Sequence, residues 1–145
     1  MNGEPLRILL VEDNLDHAEL VKRSFETNRI ANCLFHAVDG EQALDYLFKK
    51  GVFSSSEYAE FPNLILLDLR LPKIDGIDVL KQIKSNDKTK SIPVVILTSS
   101  DAETDIIKAY YNHANSYLVK PMDFNKFNEL MNELGFYWLV WNQRP

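Results

Sequence analysis

Five short apolar runs, separated by segments of helical period, constrain this chain more than any other feature: "LRILLVED", "CLFHAV", "LILLD", "VVILTSS" and "SYLV". Leu64 to Leu67 do not alternate with polar residues, which predicts a strand buried on both faces. Asn14 is placed to cap a first helix in which Ala18, Val21 and Phe25 fall at helical spacing. "EQALDYLFKK" reads as a second helix closed by Gly51, and "DVLKQIKSN" as a third with Val79, Leu80 and Ile83 on one side. Asp101 is expected to cap a fourth helix carrying Ile106, Ile107 and Tyr110, and Asp123 a fifth. Five βα units in sequence argue for an α/β fold, a parallel sheet with helices on both faces.

Composition removes several function classes. At 145 residues the chain is expected to be one domain, 1–145. A net charge of −5, with no cluster of Lys and Arg, argues against a nucleic-acid face. The lone Cys33 excludes an intramolecular disulfide, fits a reducing compartment and reads as a buried structural thiol. The opening "MNGEPLRILLVED" carries no signal-peptide pattern and no apolar run approaches a membrane span, so the expected location is cytoplasmic. The Ser-rich "KKGVFSSSEYAEFPN" is long for a join between helix and strand. Its Phe53, Tyr58 and Phe61 predict an ordered surface loop rather than a linker.

The strand ends carry the chemistry. Strand one ends in Glu12 and Asp13, strand three in Asp68, strand four in Thr98 and Ser99, and strand five in Lys120. A parallel sheet projects all of them from its carboxyl edge, where such folds bind ligands. Three carboxylates that close would repel unless a cation sat among them, and Mg²⁺ suits oxygen ligands and a phosphate partner. Lys120 offers a point charge for an anion, and Thr98 a hydroxyl proton. A carboxylate can attack phosphorus to give an aspartyl phosphate, and the central Asp68 is the candidate nucleophile.

These residues, in order, resemble the receiver domains of two-component response regulators, the CheY-like family. The likeness rests on Glu12-Asp13, "LLDLRLPKIDG", "ILTSS" and "SYLVKP". It implies a doubly wound five-stranded sheet in the order 2-1-3-4-5. It further implies that Asp68 accepts a phosphoryl group from a histidine kinase. By the same resemblance Asp13 binds Mg²⁺ directly, Glu12 acts through water, and the Arg70 carbonyl completes the protein's ligands. Thr98, the Ser99 amide and Lys120 hold phosphoryl oxygens, Tyr117 occupies the switch position, and Lys120-Pro121 matches a cis peptide. The chain is thus expected to be a signalling phosphoacceptor rather than a turnover enzyme. The long loop, "HAN" before "SYLVKP", and the closing "YW" are similar to small regulators that partner phytochrome histidine kinases. Output is expected through a downstream protein or a phosphotransfer protein.

Arg70 departs from the family's usual small or polar residue and is expected to touch the phosphoryl group, obstruct water or stay solvated. His17, His36 and His113 share no strand end and are read as non-catalytic. A pseudo-receiver that binds without phosphorylation is the alternative, and an Asp-nucleophile phosphohydrolase a weaker one, since Arg70 stands where that class needs a second acid. In the tail, Phe136 to Trp141 are six consecutive apolar residues, beyond what one packed face requires. They predict an aromatic extension of the last helix at about 135–145 and a homodimer anchored by Tyr137, Trp138 and Trp141.

Overall fold

The computed structural model describes residues 6–27, 32–54, 61–98, 102–119 and 129. The element order is β1 (Leu6–Val11), α1 (Leu15–Thr27), β2 (Asn32–Ala37), α2 (Gly40–Phe48), a 3₁₀ turn (Gly51–Phe53), β3 (Leu64–Leu67), α3 (Gly76–Ser85), β4 (Val94–Thr98), α4 (Glu103–Tyr111) and β5 (Ser116–Val119). All neighbouring strands pair in parallel, and the sheet order is β2-β1-β3-β4-β5. The expected α/β architecture is therefore present, with β3 at its centre.

The apolar runs do not alternate with polar residues because both faces are covered. Leu9, Val11, Ile65, Leu67 and Ile96 pack with Ala43, Leu44 and Leu47 of α2 and Val79, Leu80 and Ile83 of α3. Their neighbours Ile8, Leu10, Leu64, Leu66 and Leu97 pack on the opposite side with Ala18, Val21 and Phe25 of α1. A period of two thus feeds two cores.

Helix ends follow local chemistry. Asn14 Oδ1 accepts the His17 amide at 3.0 Å, the expected cap of α1. At α2, Asp39 accepts the Gln42 amide at 2.7 Å while Gln42 accepts the Val38 amide at 2.8 Å, a reciprocal box around the first turn. The expected stop at Gly51 is displaced: Lys49 adopts the left-handed conformation at φ 55, and the Lys50 amide closes on Asp45 O at 2.9 Å. Gly51 then opens the 3₁₀ turn. Likewise α3 begins at Gly76, earlier than expected, with Asp75 at its N-cap. Asp101 and Asp123 lie outside the described residues, and α4 is preceded by Ala102 with no side-chain cap.

The long loop re-enters the fold through aromatic and amide contacts. Phe53 meets Phe35 and Tyr46 edge-on at 5.3 and 5.4 Å, and those two stack at 4.0 Å. Phe61 packs against the α2–α3 core, while Tyr58 lies outside the described residues. Asn63, just before β3, exchanges two hydrogen bonds with the Arg7 backbone, at 2.8 and 2.9 Å. Asn115, just before β5, does the same with Val94, at 2.8 Å each way. In both places an Asn side chain extends the ladder and sets where the next strand begins.

Cys33 is exposed, contrary to the buried thiol expected. It lies near the start of β2, an outer strand, one strand period before Phe35 and its stack with Tyr46. In α4, Ile107 and Tyr110 face solvent together with Tyr111, so the helical spacing there marks an outer face rather than a core.

Lys84 ties the lower edge of the sheet together. Its ammonium donates to Lys90 O at 3.1 Å, Ile92 O at 2.8 Å and Asn115 Oδ1 at 3.1 Å. Burial pushes its pKa below the ordinary lysine value. The Lys84→Met variant is expected to lose about 1 kcal/mol of stability through these acceptors. Because the folded pKa is depressed, the unfolded state holds more protons between the folded and ordinary values. Lysine-84 protein should therefore gain stability relative to Lys84→Met as pH rises through that window. Denaturant midpoints from pH 7 upward check this, and a difference that stays flat would remove the burial effect.

Candidate phosphoacceptor site

Backbone pairing delivers the acids to one point. The Glu12 amide bonds Ala37 O and the Asp68 amide bonds Val11 O, both at 3.0 Å, so each acid continues its strand's ladder by one residue. Glu12, Asp13 and Asp68 then place carboxylate oxygens within 4.8 Å of one another. Glu12 and Asp68 are only 2% and 7% exposed, whereas Asp13 faces solvent. Carboxylates so placed favour a hard cation among them.

Asp68 Oδ1 accepts the Thr98 hydroxyl at 2.7 Å and the Arg70 amide at 3.1 Å. Thr98 is fully buried at the end of β4, the strand beside β3. Gly76 makes the loop after Asp68 possible. A Cβ there would meet the Asp68 carbonyl and stand 2.5 Å from Leu69 Cα, while the Gly76 amide donates to Leu69 O at 3.0 Å. Lys73 holds a positive φ of 67 in the same loop, and its ammonium lies 3.6 Å from Asp39 and 3.9 Å from Glu41.

Two histidines do reach this edge. His36 Nε2 is 2.7 Å from the Glu12 carbonyl. A carbonyl can only accept, so Nε2 carries the proton and fixes the tautomer. His17 Nδ1 lies 3.9 Å from Glu12 Oε1, and Glu12 Oε2 accepts the Asn14 amide at 3.2 Å. The spacing of 24 residues between Glu12 and His36 hid this contact, which depends on the β1–β2 register. The Arg70 guanidinium is paired with Asp105 of α4 at 2.9 Å, and so is not simply solvated. Tyr117 is half-buried against the α2–α3 core, on β5 opposite Ile96. Ser99, Lys120, Pro121, Tyr137, Trp138 and Trp141 lie outside the described residues.

The family model of the response regulator receiver domain matches residues 8–132. The chain belongs to that family. Two of its curated relatives are nearly full-length matches. Probable methanogenesis regulatory protein FilR2 of Methanothrix harundinacea is 46% identical over 143 residues, covering 98% of this receiver and 89% of its own length. Response regulator Rcp1 of Synechocystis sp. is 41% identical over 138 residues, covering 95% and 92%. The crystal structure of Mn²⁺-bound Rcp1 superposes with a TM-score of 0.85, covering 93% of this receiver and 95% of that chain. The phosphorylated cyanobacterial phytochrome response regulator RcpA, 35% identical, gives 0.86 over 94% and 95%.

The receiver is a signalling protein of the two-component type, and its Glu12, Asp13 and Asp68 cluster suits a divalent cation. None of its described helices is long and apolar enough to cross a membrane.

Proposed function

We propose that Asp68 takes a phosphoryl group from a sensor histidine kinase, with Mg²⁺ as the cation, and that the change is read by a protein partner. One observation carries the reading: a buried carboxylate at the end of the central strand, gripped by Thr98 and the Arg70 amide and grouped with two further acids. When bound, the cation neutralises charge that gathers on the phosphoryl oxygens. Asp13 would hold it directly, Glu12 through water, and the Arg70 carbonyl beside them. Asp68 supplies the attacking oxygen; the bond from phosphorus to the kinase imidazole breaks as the acyl phosphate forms.

Thr98, the Ser99 amide and Lys120 are assigned to the phosphoryl oxygens. The Thr98 hydroxyl now bound to Asp68 would turn to one of them, and Tyr117 would follow it inward. Catalysis is confined to this self-promoted transfer and a slow loss of the group. The experiment is incubation with acetyl phosphate and Mg²⁺. The intact chain should gain one phosphoryl mass and Asp68→Ala none. Equal labelling of both would place the nucleophile elsewhere, turnover of phosphate esters would mean a phosphohydrolase, and labelling of neither would favour the pseudo-receiver.

Similarity to RcpA, a phytochrome response regulator, supports a phytochrome kinase as the donor. The higher identity to FilR2 favours a second reading, a kinase of another signalling route. Transfer from a phytochrome-type kinase, measured against other histidine kinases, separates them. A homodimer through α4, β5 and the fifth helix is supported by Ile107, Tyr110 and Tyr111 on the outer face of α4. Tyr137, Trp138 and Trp141 are its assigned anchors. Sedimentation should show a dimer that weakens in Trp138→Ala/Trp141→Ala; a monomer at high micromolar concentration, with and without phosphodonor, would rule it out.

A further inference from the structure

Helix α4 is the least anchored helix described. Of its described side chains only Ala109 is buried, whereas α1, α2 and α3 each bury several. Its N-cap, Ala102, offers no side-chain acceptor to the first turn. Little apolar burial and an uncapped start are the marks of a segment that opens at low cost. Against that background, the 2.9 Å pair between Arg70 and Asp105 is a specific tie from α4 to the loop that follows Asp68. Asp105 is the more enclosed partner, at 18% exposure against 69% for Arg70.

The same arginine is joined to Asp68 through its own amide, at 3.1 Å from Oδ1. The several rotatable bonds of an arginine side chain let it change partner while its backbone stays in place. A phosphoryl group carries about two negative charges and three acceptor oxygens, and outcompetes a single carboxylate for a planar guanidinium.

Resting on the reading that Asp68 is phosphorylated, we infer that Arg70 exchanges partners: it latches Asp105 in the resting receiver and leaves it for the phosphoryl group. The exchange frees the first turn of α4, and with it the helix that presents Ile107, Tyr110 and Tyr111. It needs no atom of Arg70 to take part in the transfer itself, so Arg70 acts here as a positioning residue. Asp105, in the first turn of α4, remains favourably placed at the positive end of the helix.

Hydrogen exchange at the amides of Ile107 to Tyr111 tests this, with and without acetyl phosphate and Mg²⁺. In the wild-type chain phosphorylation should speed exchange about two- to fivefold, the scale of one partly exposed ion pair. Asp105→Asn, close in shape, and Arg70→Ala, at an exposed position, should both show the faster rate before phosphorylation and little further change after it. Resting rates equal to wild type in either variant, or a full phosphorylation increment in both, would overturn the exchange. Intact mass on the same samples keeps the two claims apart. A wild-type chain that stays unlabelled defeats the Asp68 reading, while a labelled chain with an unresponsive α4 defeats the latch alone.

Discussion

Gly76→Ala is expected to cut phosphoryl labelling roughly a hundredfold and to lower stability by about 1–3 kcal/mol. The atoms that the new methyl would strike are backbone, the Asp68 carbonyl and Leu69 Cα and C, and none of them can swing aside like the tip of a side chain. Leu69 is itself buried, so relief must come from moving the loop. That movement pulls the Arg70 amide away from Asp68 Oδ1 and shifts the acceptor relative to Thr98. Gly51→Ala is the control. Its nearest neighbour is Asp45 Oδ2 at 3.5 Å, so only the positive φ of 57 is penalised. That variant should lose about 1–2 kcal/mol and label normally. Thermal melts and labelling rates measured together check both; equal labelling by Gly76→Ala would mean the loop does not set the acceptor's position.

Asp13→Ala should weaken Mg²⁺ binding by at least about a hundredfold, more than is usual for losing a mere supporting contact. Stability in the absence of cation should move the other way or not at all, because one of three mutually repelling carboxylates has gone. Calorimetric titration with Mg²⁺, beside denaturation in chelator, measures the two signs separately. Unchanged affinity would remove Asp13 from the cation's ligands.

Much of this was legible in the sequence because it depends on local pattern. Leu64 to Leu67 announce a doubly covered strand, and the next residue is the acid, still buried, at the carboxyl edge of the sheet. Glu12, Asp13 and Thr98 needed only the assumption of parallel strands to be brought to Asp68. What escaped depends on distance in the chain or on position in the sheet. Cys33 is exposed through its place near the start of an outer strand, although its composition resembles that of the inner ones. Arg70 finds Asp105 35 residues away, on a helix whose spacing suggested burial. His36 reaches Glu12 only through the register of β1 and β2. The Asp39–Gln42 box was the exception, a signal present in the spacing and open to direct reading.

The most direct measurement locates the phosphoryl group chemically. Borohydride reduces an acyl phosphate to an alcohol, releasing phosphate and leaving a stable mass change on the former carboxyl residue. After treatment with acetyl phosphate and Mg²⁺, reduction and peptide mapping should find that change at Asp68 alone. A change at Glu12, at Asp13 or on any other peptide, or phosphate retained as an ester that borohydride does not remove, would contradict an aspartyl phosphate at the end of β3.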